Sequence, residues 1–308
     1  MDQKKKRWCI GLLAAAVIGA GMVSTAEKHS AGFKNTGHVA VIRVQGPITG
    51  GDSGSLLQSG EGVTSGQLMK EFREARKDEN VKAVLLRLDS PGGSASAAQE
   101  IAWEIDKYKD AGKPLIVSIG DTAASAAYWL ASKGDTVYAN PGTMTGSIGV
   151  YMEYYNVQEL ADKLGVTEEK IKSGKHKDIF SPFREMTEEE RAIVQGMVND
   201  IYEQFLDEVA KGRHMDKEEV RQLADGRIYT GRQALDKKLV DKMGNYYDAL
   251  EAAAEAGGLN TVDIPVVEYG KPNSLAALLQ GYGRTNLESE LWTRLLPRLT
   301  MRQEEGRL

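Results

Sequence analysis

Cysteine is nearly missing from this chain. The single one, Cys9, cannot build a disulfide framework or a cysteine-based metal site. Histidine is scarce: His29, His38, His176 and His214 are the only four in 308 residues, and no HExxH pair is present. A zinc-hydrolase motif is thereby removed and a Ser-His-Asp triad is weakened. Positive charge is not in excess either, since the net charge is −5. A broad basic surface is excluded, and nucleic-acid binding has little support. No metal and no cofactor are expected. What remains, 41% hydrophobic and 27% charged residues, is the composition of an ordinary globular domain.

The N-terminus departs from that background. Lys4, Lys5, Lys6 and Arg7 precede an uncharged run from Trp8 to Thr25. A basic cluster before an apolar run stays on the cytoplasmic side, and the chain beyond the run is delivered outside. We therefore expect a cytoplasmic basic tail over 1–7, a single-pass transmembrane anchor over 8–25 and a polar linker over 26–37. The alternative is a signal peptide cleaved near Ser24-Thr25-Ala26.

Beyond the linker the pattern alternates between strands and helices. His38 to Ile48 alternates as a strand should, and Gly50 to Gly62 reads as a mobile loop. Thr64 to Lys77 predicts a helix, Val81 to Ser90 a strand buried on both faces, and Ser96 to Ala111 a helix. Pro114 to Gly120 predicts a second buried strand, followed at once by a small-residue helix from Asp121, and Thr136 to Pro141 a third strand. This rhythm implies an α/β fold with a parallel sheet and right-handed crossovers, whose sites lie at the carboxyl ends of the strands. Thr187 and Glu190 form a capping box for a helix reaching about Lys211. The main domain is expected over 38–259, with a terminal strand and tail over 260–308.

Three loops fall at strand ends: Ser90 to Ser94, Asp121 to Ser125, and Thr143 to Gly149. Ser90-Pro91-Gly92-Gly93 is either a plain tight turn or a set of exposed N–H groups able to hold an oxyanion. Ser125, among small neighbours where a helix begins, is either an N-cap or a nucleophile. A serine nucleophile needs a base. Lysine serves if its ammonium is desolvated, and Lys175 and Lys177 lie together in a loop bounded by Gly174 and Pro182. The residues alone do not choose between them, or between either one and a surface lysine.

The segments DSPGGS, GDTAASAAYWLAS, NPGTMTGSIGV, LADKLGV, IKSGKHKDIFSPFREMTEEE and ADGRIYTGRQALDKKLVDKMG occur in this order between Val39 and Gly244. Together they resemble the S49 family of signal peptide peptidases in its short bacterial form. The resemblance implies a ClpP/crotonase-like fold and a serine endopeptidase with a Ser/Lys dyad. Ser125 would be the nucleophile, Lys177 the general base, and Ser147 the residue that orients the lysine. Gly93 and Ala126 would supply the oxyanion-hole N–H groups. It further implies apolar substrates, the signal-peptide remnants left in the membrane, and a homo-octameric ring whose sites are shared between adjacent subunits. Two positions depart from the family pattern: Ala126-Ala127 replaces Gly-Gly, and Asp89 replaces asparagine. Rival readings are an acyl-CoA hydratase or isomerase on the same fold, a ring peptidase trimming misfolded exported proteins, and a non-catalytic membrane-tethered scaffold.

Overall fold

The computed structural model describes residues 37–52 and 62–270. The expected anchor over 8–25, the basic tail before it, all but the end of the linker and most of the C-terminal tail lie outside the described residues. Among the described residues no helix is long and apolar enough to cross a membrane. The chain divides into two compact units, 1–267 and 268–308; the described helices and every described strand except the last, which ends at Glu268, lie wholly in the first.

Ten strands and eight helices make up the described residues. The strands are β1 (His38–Gln45), β2 (Ile48–Thr49), β3 (Val63–Thr64), β4 (Val81–Ser90), β5 (Leu115–Ala124), β6 (Thr136–Ala139), β7 (Met144–Gly146), β8 (Ile228–Thr230), β9 (Lys242–Met243) and β10 (Val266–Glu268). The helices are α1 (Ser65–Lys77), α2 (Ala95–Asp110), α3 (Ala126–Ala131), α4 (Gln158–Leu164), α5 (Glu188–Arg213), α6 (Lys217–Leu223), α7 (Gly231–Asp236) and α8 (Tyr246–Ala256).

β1, β4, β5 and β6 lie side by side in parallel, with β9 beyond β6. The apolar runs read from the sequence match this centre: Val84, Leu85, Leu86 and Leu88 are all fully buried. Alternation along each strand divides them between two faces. Val39, Val41, Ala83, Leu85 and Ile116 pack under α8, on Ala249, Leu250, Ala253 and Ala254. Ala40, Ile42, Val84, Leu86 and Leu88 are buried as well. A fully buried leucine contributes about 1.5–3 kcal/mol relative to an exposed one, so this doubly covered sheet is the main source of stability. Phe72 of α1 and Tyr108 of α2 meet edge to face at 6.0 Å and tie these two helices together.

Three features differ from the sequence expectation. The sheet is mixed, because β8 returns antiparallel to β7. β5 does not stop at Gly120. It continues to Ala124, paired with β7 through Thr122, Ala123 and Ala124, and helix α3 starts only at Ala126. Small residues carry no period, so tertiary pairing sets their conformation. β1 ends at Gln45, and Gly46 (φ 72°) turns the chain before Ile48 joins a separate two-stranded sheet with β3. The capping box at Thr187 and Glu190 is present as expected, and α5 runs to Arg213.

Candidate active site

Ser125 stands between the end of β5 and the start of α3. It occupies the N-cap position, yet its side chain makes no capping hydrogen bond. Its backbone is at φ 54° and ψ −125°, a region that costs a non-glycine residue on the order of 1–3 kcal/mol. Such a conformation persists only when the surroundings impose it. Here the Ser125 N–H donates to the Gly146 carbonyl at 2.9 Å, and the Ser125 carbonyl accepts from Trp129 N–H at 3.0 Å.

The Ser90–Ser94 loop closes over this turn. Gly92 has φ 106°, and a Cβ there would meet the Ala124 carbonyl at 2.7 Å and Ser125 Cβ at 2.8 Å. Only glycine permits that approach. The Ser90 hydroxyl accepts from Gly92 N–H at 3.1 Å, fixing the loop from inside. From outside, Ile48 of β2 donates its N–H to the Gly92 carbonyl (2.8 Å) and accepts from Ser94 N–H (2.9 Å). That pattern uses the groups flanking Gly93 and leaves the Gly93 N–H out of the bridge. Ala126 is the first residue of α3, and N–H groups of a first helical turn have no intrahelical partner.

Two cavities, of about 270 and 700 Å³, share the wall formed by Gly93, Ser125, Gly149, Val150 and Tyr151. The smaller is apolar beyond that wall, lined by Trp129, Met152, Ile201 and Phe205. Trp129 and Phe205 stack there at 4.8 Å and 20° between rings. The larger is more polar and takes in Ser147, Glu153, Tyr202 and Asp225. Ser147 also has a positive φ, 50°, and its N–H donates to the Arg227 carbonyl at 2.9 Å. Ser125, Ser147, Gly93 and Ala126 are therefore brought together.

Lys177 is not with them. No lysine or histidine lines either cavity. Asp225 does line the larger one, but Arg227 holds its carboxyl down to about 2, so it is a poor base. Lys177 is exposed in the segment between α4 and α5. Cations around it are engaged: Lys170 with Glu168 (2.7 Å), Lys172 with Asp178 (2.5 Å), Lys175 with Glu189 (2.6 Å), and Arg184 with both Asp178 (2.9 Å) and Glu190 (2.6 Å). Lys177 has no ion pair or side-chain hydrogen bond among the described residues. Hydrogen bonds from Arg184, and secondarily Lys172, hold the Asp178 carboxyl well below the usual range. Arg184 likewise holds Glu190 down to about 2.

Both departures from the family pattern have a structural answer. Ala126 and Ala127 open α3, where the backbone is helical and alanine is favoured. Asp89 lines neither cavity. It pairs with Arg87 Nε at 3.3 Å and accepts the Asp121 N–H at 2.5 Å. The resemblance implied apolar substrates, but the sequence did not say which residues would line the cavity: Ile201 and Phe205 recur at helical spacing in α5 with nothing to set them apart from its other apolar positions.

The model of peptidase family S49 matches residues 107–260. The chain belongs to peptidase family S49. A putative signal peptide peptidase SppA of Enterococcus faecium is 39% identical over 75% of this chain and 66% of its own length. A putative protease of Synechocystis sp. is 37% identical over 76% of this chain and 80% of its own. Protease 4 of Haemophilus influenzae is 35% identical over 70% of this chain but only 34% of its own length. The chain thus matches just under two thirds of the Enterococcus protein and about a third of the Haemophilus one. This family S49 chain is of the SppA type and has an α/β fold.

Proposed function

We propose that this S49 peptidase is an endopeptidase in which Ser125 is the nucleophile and Lys177 of a neighbouring copy is the general base. One observation carries the proposal. The cavities around Ser125 contain no lysine or histidine, while Lys177 is left exposed and unpaired among paired cations. A nucleophile without a base and a base without a nucleophile are complementary halves.

In the completed site the Ser125 hydroxyl attacks the scissile carbonyl, and the neutral Lys177 amine takes its proton. Ser147, on the wall of the larger cavity, hydrogen-bonds that amine and orients it. The Gly93 and Ala126 N–H groups stabilise the oxyanion, each worth about 3 kcal/mol in sites of this kind. Lys177 then protonates the leaving amine, and water releases the acyl-enzyme. The apolar cavity behind Ser125 suits small or aliphatic side chains. Signal-peptide remnants supply such chains at the outer face of a membrane, where the N-terminal run would hold the domain. The oligomer is an octameric ring with shared sites.

Full-length protein in detergent tests this. Ser125→Ala and Lys177→Ala should each lose peptidase activity. Co-expressed, the two inactive variants should recover about a quarter of it, the fraction of randomly assembled sites that combine an intact serine with a neighbour's intact lysine. If both single variants cut as fast as the parent, the assignment is wrong. If they are inactive and co-expression recovers nothing, the shared site is wrong.

A further inference from the structure

We infer that Asp89 is a positioning residue for the nucleophile: its carboxylate holds a two-residue bulge in β5 that sets where Ser125 stands. The inference rests on Ser125 being the nucleophile.

The bulge is plain in the strand register. Leu88 of β4 pairs with Ile119 of β5, but Ser90 pairs with Ala123, so β5 advances four residues while β4 advances two. On its other edge β5 changes partner at the same place, from β6 at Ile119 to β7 at Thr122. An even insertion keeps side chains on the same face but slides everything after it by roughly 6.6 Å, two strand residues. Ser125 lies directly after the slide. Its seat against Gly92 and Gly146 exists only in that register.

Bulges leave backbone groups without ladder partners, and these must be satisfied elsewhere. The Asp121 N–H donates to Asp89 Oδ1 at 2.5 Å. The Gly120 carbonyl accepts from the Thr143 hydroxyl at 2.6 Å, and the Ala123 carbonyl from the Thr145 hydroxyl at 2.7 Å. The bulge is thus clamped from β4 on one side and from β7 and the connection before it on the other. Asp89 is itself oriented: Arg87 Nε lies 3.3 Å from Oδ2, and Arg87 Nη1 donates to the Ser118 hydroxyl at 2.9 Å. Gly120 leaves the room this requires, since a Cβ there would overlap both the Asp89 carboxylate and the Arg87 guanidinium. Because Asp89 touches neither cavity, it acts through the backbone.

Removing the carboxylate frees the Asp121 N–H and loosens the register that places Ser125, and a misplacement of about 1 Å can cost about a hundredfold in rate. The apolar cavity is untouched, so binding should survive. The test is the rate of Ser125 labelling by a fluorophosphonate, with kcat and KM for a peptide, on full-length protein. Asp89→Ala should lower labelling and kcat by roughly ten- to a hundredfold and change KM less than about threefold. Asp89→Asn keeps an acceptor oxygen and should stay within a few-fold of the parent. Parental labelling by Asp89→Ala, or failure of Asp89→Asn to restore it, overturns the inference. Should Asp89→Ala fail to fold, Thr143→Val and Thr143→Ser test the opposite clamp: slow labelling restored by serine supports the inference, and parental labelling of Thr143→Val overturns it. A parent that does not label at Ser125 overturns the nucleophile assignment itself, a result distinct from any variant effect.

Discussion

Ser125 donates its backbone N–H to the carbonyl of Gly146 at 2.9 Å, so the proposed nucleophile hangs from the residue that precedes Ser147. Gly146 has φ 83°, and a Cβ there would meet the Tyr229 ring at 2.7 Å. Gly92, on the opposite side of Ser125, is equally confined. Gly92→Ala and Gly146→Ala should each destabilise the fold by about 1–3 kcal/mol through forced backbone strain. Gly92→Ala, which crowds Ser125 itself, should cost the greater share of activity. Thermal midpoints and peptidase rates on the same preparations check both.

The two neighbouring lysines should behave differently. Lys175 forms an exposed pair with Glu189, and such pairs contribute at most about 1 kcal/mol. Lys175→Ala should leave stability and activity close to the parent. Lys177→Ala should leave stability unchanged and abolish turnover. Equal activity of the two variants would remove the distinction drawn from their pairing.

Acid should act on the segment that carries Lys177. The Asp178 and Glu190 carboxyls have lower pKa values folded than unfolded, chiefly because Arg184 hydrogen-bonds both. A depressed carboxyl contributes stability in full above its unfolded pKa, about 4, and loses it as pH falls toward the folded value. The thermal midpoint should therefore drop between about pH 4 and 2. In Arg184→Met the depression is relieved, so the drop across that window should be smaller. A drop of the same size in the variant would show that the network does not contribute.

Ile201 and Phe205 face the smaller cavity from α5. Ile201→Phe adds volume to a space of about 270 Å³. Cleavage after leucine-sized residues should fall by roughly ten- to a hundredfold, while cleavage after alanine changes little, since about 1–3 kcal/mol rides on a methylene's fit. A peptide series varying only that residue measures the ratio.

Much of the fold was legible because buried parallel strands write themselves as apolar runs. Val81–Ser90 is one example, buried on both faces and paired along both edges. The turn at Ser125 was not legible. Asp121 to Ala124 are small or polar residues with no period, and their extended conformation comes from β7, which the sequence placed only as a loop. The serine and its glycine loop could be singled out from their place at strand ends. Lys177 could not be separated from Lys175 by pattern, because what separates them is the position of Glu189 in a helix that begins after both.

Strand order across β1, β4, β5 and β6 follows chain order, each long strand lying on the one made before it. A chain that emerges N-terminus first can thus extend its sheet at a growing edge without waiting for later sequence. Ser125 is laid down with the third of these strands. The Gly146 carbonyl that holds it, Lys177, and the Ile201 and Phe205 wall are all synthesised afterwards. On the proposed assignment, the serine is thus synthesised before the groups that hold its backbone, supply its base and wall its apolar cavity.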